Sequence, residues 1–282
     1  MVVQSLNGLS VRLKEEHDLS FLDELGQVFY VNDALISGNL SFGIHTGTRR
    51  LFVKYAGAQT LYYPNSPETA VVRLQKAIPL YQLLENEPVN QLEADLDLPN
   101  GIALVFPWIN GISPHSSNHL LEPVQSWPLR FKLNALDQLY SLFAKCAKHD
   151  YLAAGIDDGN FLIEPLSRQL YLTSVDWFLK MPHRNVRGRI PGASWYIAPE
   201  GYQSGARIDE LSVVYTMGAL AMAFFGNRIS QKKKDWRGPE NLFFLASAAV
   251  SEKKEKRPYS VQSFLDNWRL SVLDIPISQY EQ

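Results

Sequence analysis

The hydrophobic pattern changes its period along the chain. "GQVFYVN" (26–32) and "TRRLFVKYA" (48–56) are rich in β-branched and aromatic residues and bounded by glycine or asparagine, which predicts strands. Between them "ISGNLSFGIHTG" (36–47) carries three glycines, as a hairpin would. The spacing then becomes helical: Ser66, Pro67 and Glu68 mark a start, and Val71, Leu74, Ile78, Tyr81 and Leu84 recur on one face. "GIALVFPWINGIS" (101–113) is an apolar strand running into a Pro/Gly stretch. After about residue 110, "PLRFKLNALDQLYSLFAKCAKHDY" (128–151) is helical through Leu129, Leu133, Leu136, Tyr140 and Phe143. "NFLIEP" and "QLYLTSVDWF", separated by "LSR", predict a small hairpin, and 208–225, 239–251 and 260–271 predict further helices. The expectation is an α+β chain with a β-rich part over 1–108, holding one long helix, and a mainly helical part over 109–282.

Composition narrows the function classes. The 282 residues are 46% hydrophobic and 20% charged, with a formal net charge of −2, so no overall charge draws the chain to nucleic acid or an anionic membrane. Cys146 is the only cysteine, which rules out an intrachain disulfide and a cysteine-based metal site. "LSVVYTMGALAMAFFG" (211–226) is short for a membrane span and reads as a buried helix. The first twenty residues lack the long apolar run of a signal peptide, so a cytoplasmic location is expected. The basic runs "QKKKDW" and "EKKEKR" are interspersed with acids and polar residues and read as solvated surface, with a docking patch as the lesser alternative.

The polar residues carry the chemistry through their order. Lys54 lies in "LFVKYA", Asn160 in "DDGNFLI", and Asp176 in "VDWF", sixteen residues after Asn160. "IAPE" ends at Glu200, and Arg257 follows in "KRPYSVQSFL". This order resembles that of protein kinases: a strand lysine, a catalytic-loop asparagine, a DFG-type aspartate, an APE segment and a late arginine that pairs with its glutamate. More narrowly, "FVKYAGA", "RLQKAIPLY", "DDGNFLI", "VDWFLKMP" and "YTMGALAMAFFG" look like a group of bacterial eukaryotic-like serine/threonine kinases. The resemblance covers nearly the whole chain and implies a bilobal kinase-like fold that binds ATP and Mg²⁺ and acts on, or signals through, a protein partner.

Under that resemblance Lys54 contacts the α- and β-phosphates, and Asp176 and Asn160 hold Mg²⁺. Gly38 and Gly43 either let backbone amides approach the phosphates or mark a plain hairpin turn. Backbone groups around Phe106–Gly111, Trp108 among them, would meet adenine. Glu68 is the acid nearest in sequence to the place of the lysine's usual partner, or else it serves its helix dipole. Glu200 and Arg257 would be a buried structural pair.

Several positions depart from the family pattern. Gly155 stands where the base aspartate belongs, five residues before Asn160, and Ala153 replaces the histidine two residues earlier. Asp157 takes the place of the lysine that steadies the γ-phosphate, and Ala193 replaces a Thr or Ser that bonds the catalytic aspartate. Gly155 and Ala193 would face one another, so the two losses are expected to be linked. Phe178 fills the usual glycine slot after Asp176, and Val213 the aspartate slot five residues before Gly218, with Asp209 as a substitute. Asp157 is a candidate replacement base, although Asp157 and Asp158 also suit a turn before Gly159. Three readings follow: a Ser/Thr kinase relying on Asp157, a pseudokinase acting through binding, and a small-molecule phosphotransferase of the aminoglycoside type. The third is disfavoured because that family keeps the loop aspartate and usually lacks an APE segment.

Overall fold

A computed structural model describes residues 1–113, 122–227 and 229–276. The chain is α+β and forms two compact units, Met1–Asn110 and Gly111–Gln282, where the sequence reading put the boundary after Trp108.

In the first unit β1 (Val2–Leu6) and β2 (Leu9–Leu13) form a hairpin, followed by a short helix α1 (Phe21–Leu25). Strands β3 (Gln27–Asn32), β4 (Asn39–His45), β5 (Arg50–Ala56), β6 (Ala94–Leu98) and β7 (Gly101–Pro107) build one antiparallel sheet in the order β3-β4-β5-β7-β6. Helix α2 (Pro67–Leu83) packs against β5 and β7. The two-residue period of β5 sorts its side chains. Leu51, Val53 and Tyr55 join Val11, Leu13, Leu22, Phe42 and Val105 in a closed apolar core. The alternate residues Phe52 and Lys54 point to the opposite face. The hairpin is tied to the sheet by Arg12, whose guanidinium forks onto Asp33 at 2.6 and 3.0 Å.

Four of these strands, β1, β2, β4 and β6, were not anticipated. The segment 36–47 is not simply a glycine hairpin, because it contains all of β4, with Gly43 paired to Tyr30 and Phe52. The β1–β2 hairpin was missed as well. Its strands alternate buried and exposed positions over only five residues each, too short to give a clear period.

In the second unit α3 (Glu122–Gln125), α4 (Leu129–Lys148), α5 (Glu210–Phe225), α6 (Glu240–Ala249) and α7 (Val261–Leu273) surround a core in which α5 is central. Thirteen of the sixteen α5 residues are buried, which explains its apolar character on every side. Among the described residues no helix is long and apolar enough to cross a membrane. Tyr140 of α4 donates to the Met217 carbonyl of α5 at 2.8 Å, and its ring meets Phe264 and Trp268 of α7 edge-on. Cys146 is buried on α4. Between α4 and α5 the chain forms short strands: β8 (Tyr151–Leu152), β9 (Phe161–Ile163), β10 (Leu170–Leu172), β11 (Leu179–Lys180), β12 (His183–Arg184) and β13 (Arg207–Ile208).

Candidate functional site

The second unit brings three stretches together. β9 pairs with β10, and β8 with β11, so the loop 153–160 and the stretch 173–178 are clamped at both ends. Thr173 then donates its backbone N–H to the Asn160 carbonyl at 2.7 Å and its hydroxyl to the same oxygen at 3.1 Å. This ties Asn160 to the strand end that leads into Asp176. The third stretch joins through Ala193, whose N–H donates to the Ile156 carbonyl at 2.9 Å. Residues 155 and 193 are therefore neighbours, as their paired departure from the kinase pattern implied.

Gly155 is where the local geometry is most restrictive. Its φ is +71°, and a Cβ built there would lie 2.2 Å from the Trp177 Cβ. Both the backbone and Trp177 exclude a side chain from this position. The aspartate that the kinase pattern places here is thus absent, and the space for it is filled. Ala153 and Val213, two other positions that are apolar where the kinase pattern is polar, line a single small cavity of about 20 Å³ beside Tyr196 and Thr216.

The two loop acids have different surroundings. Asp158 is 2% exposed and accepts the Tyr196 hydroxyl at 2.8 Å. It is a buried tie to the "YIAPE" segment rather than a turn residue alone, and the same bond buries the hydroxyl of Tyr196. Asp157 is half-buried and opens a single 3-10 turn over Asp158–Asn160. Asn160 Oδ1 accepts the Asp157 N–H at 2.8 Å, so this amide caps the turn. Asp176 is 7% exposed and heads a turn in which the Phe178 N–H donates to the Val175 carbonyl at 3.0 Å.

Asp176 and Asn160 offer hard oxygen donors, the kind magnesium takes, and Asn160 keeps a second lone pair beside its capping bond. Among the described residues no three His, Cys, Asp or Glu side chains gather as a metal site. A magnesium ion here would therefore be completed by phosphate and water, which suits an ion that retains its own waters.

In the first unit Lys54 is 6% exposed. Its ammonium donates to the Tyr81 hydroxyl of α2 at 2.9 Å and lies over the rings of Tyr81 and Phe106 at 5.6 and 5.7 Å. The sequence reading passed over Tyr81 because its place in the helical period marked it as core. Glu68, the acid proposed near this lysine, is exposed on the first turn of α2. Thirteen residues of helix, roughly 20 Å, separate its backbone from that of Tyr81. Its carboxyl is held below the usual range first by the Ser66 hydroxyl, which makes it a helix-start acid.

The glycines also take specific places. Gly38, at φ +77°, ends the β3–β4 turn, and a Cβ there would strike the Tyr63 ring at 2.4 Å. Gly43 lies within β4, where a Cβ would meet the rings of Phe29 and Trp108 at 2.7 and 2.8 Å. It makes room for aromatic rings and does not sit in a phosphate-cradling loop. The Trp108 N–H is already donated to the Arg50 carbonyl at 3.1 Å, so it does not await an adenine. The Trp108 ring packs edge-on against Phe29 at 4.9 Å and Tyr30 at 5.6 Å.

The pair expected between Glu200 and Arg257 forms. The guanidinium reaches both carboxylate oxygens, at 2.8 and 3.0 Å, and the Ser212 hydroxyl adds a bond of 2.7 Å. Burial alone would push the Glu200 carboxyl up, but the hydrogen bonds from Arg257 and Ser212 outweigh it and hold the carboxyl below its ordinary value of 4.5. A depressed native value means that this stability is present above about pH 4.5 and is lost as pH falls through the native value. Unfolding midpoints measured from pH 6 down to roughly pH 3 should fall more steeply in wild type than in Glu200→Gln. Asp209, the proposed substitute at the start of α5, instead caps that helix through the Leu211 N–H at 3.1 Å and pairs with Lys254 at 2.9 Å.

No protein-family model matches the chain, and no curated protein matches it.

Proposed function

We propose that this protein is a bilobal, kinase-like module that binds Mg-ATP and acts through a protein partner, with no base at the position kinases use. The observation that carries the reading is Gly155: its left-handed backbone and the abutting Trp177 leave no room for the missing aspartate. The nucleotide part rests on the motif order along the chain, on a buried Lys54 and on a buried Asp176. Lys54 offers a positive charge to phosphates and Asp176 a carboxylate to the metal, while magnesium, when bound, neutralises phosphate charge. The loop around Gly155 is buried and apolar, with Ala153 and Ile156 each 2% exposed. Such a loop supports binding without proton transfer from that position.

A thermal-shift titration with Mg-ATP and a γ-phosphate transfer assay test both halves. Wild type is expected to gain about 2.7 kcal/mol at a nucleotide concentration a hundredfold above Kd. Asp176→Asn should bind Mg-ATP more weakly, and transfer by wild type should not exceed that of Asp176→Asn. No shift at millimolar Mg-ATP would remove the nucleotide claim. Transfer that disappears in Asp157→Asn would show instead a working kinase with Asp157 as its base.

A further inference from the structure

The second unit holds a cleft of about 920 Å³ between the start of α4, the end of α5, the start of α6 and the end of α7. Its size falls in the range of small-molecule sites. Trp127, Leu129, Phe225, Pro239 and Ile275 contribute apolar surface to a lining that is otherwise mostly polar. Lys132 lies in the same lining and is 7% exposed. Lysine is almost never buried so deeply unless it is paired. Its ammonium donates to the Gln125 carbonyl at 2.5 Å and lies 5.4 Å from the centre of the Phe225 ring. Among the described residues no carboxylate forms an ion pair with it, so one of its three donors has a strong acceptor and its charge has no counter-charge. Burial pushes its pKa down, in keeping with that lack.

We propose that this cleft binds a small molecule bearing a single carboxylate on an apolar body, with Lys132 as the counter-charge. The balance of charge in the lining favours a singly charged head. Glu240 and Asp274 stand at the rim with Arg237, and Glu240 is already paired with Lys233. Arg237 and Lys233 offset these two carboxylates, so Lys132 is left as one uncompensated positive charge, which a monocarboxylate on an apolar stem beside the aromatic rings would match. The bond from Lys132 to Gln125 positions the ammonium: the Gln125 side chain is itself held by the Ala223 and Gly226 carbonyls, each at 3.0 Å.

Trp127 in the wall gives a fluorescence readout. The probes are 4-phenylbutyrate, its neutral counterpart 4-phenylbutan-1-ol, and inorganic phosphate. Wild type should bind 4-phenylbutyrate saturably, at least about tenfold more tightly than the alcohol, and should not bind phosphate. Lys132→Met should lose that preference, and Lys132→Arg should retain most of it. The proposal is overturned if wild type binds the acid no better than the alcohol, a comparison that needs no variant to fold. It is equally overturned by preferential binding of phosphate, by unchanged discrimination in a folded Lys132→Met protein, or by no saturable binding up to the order of 10 mM.

Discussion

Replacement of Arg257 by methionine is expected to destabilise the protein by about 3–5 kcal/mol, close to what a marginally stable fold can lose. The arginine side chain is fully buried, and besides its two bonds to Glu200 it donates to the carbonyls of Ser251 and Leu211 at 2.8 and 2.9 Å. Removing it leaves two carbonyls without their donor and the buried carboxylate with only the Ser212 hydroxyl and Lys254, 3.8 Å away, a deficit that costs more than the pair itself gains. Urea unfolding should show a lower midpoint at unchanged slope. The double variant Glu200→Gln/Arg257→Met should recover part of the loss, because the neutral amide no longer carries an uncompensated charge. A drop of less than about 1 kcal/mol in the single variant would mean that water reaches Glu200 and replaces the guanidinium.

Gly155→Asp is the second large effect, and it runs against the simplest expectation from sequence. On the motif alone, an aspartate at 155 should supply the base that the kinase pattern places there. In the folded chain a side chain at 155 requires φ +71° and a contact of 2.2 Å with the Trp177 Cβ. The left-handed backbone costs about 1–2 kcal/mol and forced overpacking about 1–3 kcal/mol more. Gly155→Asp and Gly155→Ala should therefore both lower the unfolding midpoint, and Gly155→Asp should gain no transfer activity. Because Trp177 clashes through its Cβ, trimming its ring should not rescue the variant. An active and fully stable Gly155→Asp protein would show that the loop can adopt the geometry of a working kinase.

Legibility from sequence differed between elements for physical reasons. Helices α2, α4 and α5 were readable because their apolar residues recur over four or more turns, and the deep burial of α5 could be read from a run that is apolar on every side. The short strands β1, β2 and β6 were not, since five residues with mixed exposure hardly differ from loop. The partnership of Glu200 and Arg257 could be anticipated from motif order, and so could the adjacency of residues 155 and 193. The role of Tyr81 as hydrogen-bond partner of Lys54 left no signal, because a tyrosine at a core position of a helix looks apolar until its hydroxyl is placed. Asp158 likewise looked like a turn residue, and only the approach of Tyr196 from thirty-eight residues away identifies it as a buried tie.

By itself the sequence determined the α+β class, the order of the helices, a residue order that resembles that of kinases and a glycine at 155 where that pattern has an aspartate. Those follow from local period and from residue identity, which do not depend on what lies opposite. The tertiary structure decided what each marked residue touches. It kept Glu68 at the helix start, far along α2 from Tyr81, put Gly43 under aromatic rings, engaged the Trp108 amide in a strand pairing, and closed the space beside Gly155 with Trp177. A contact between distant residues depends on how both backbones travel, and a single chain of letters does not carry that distance.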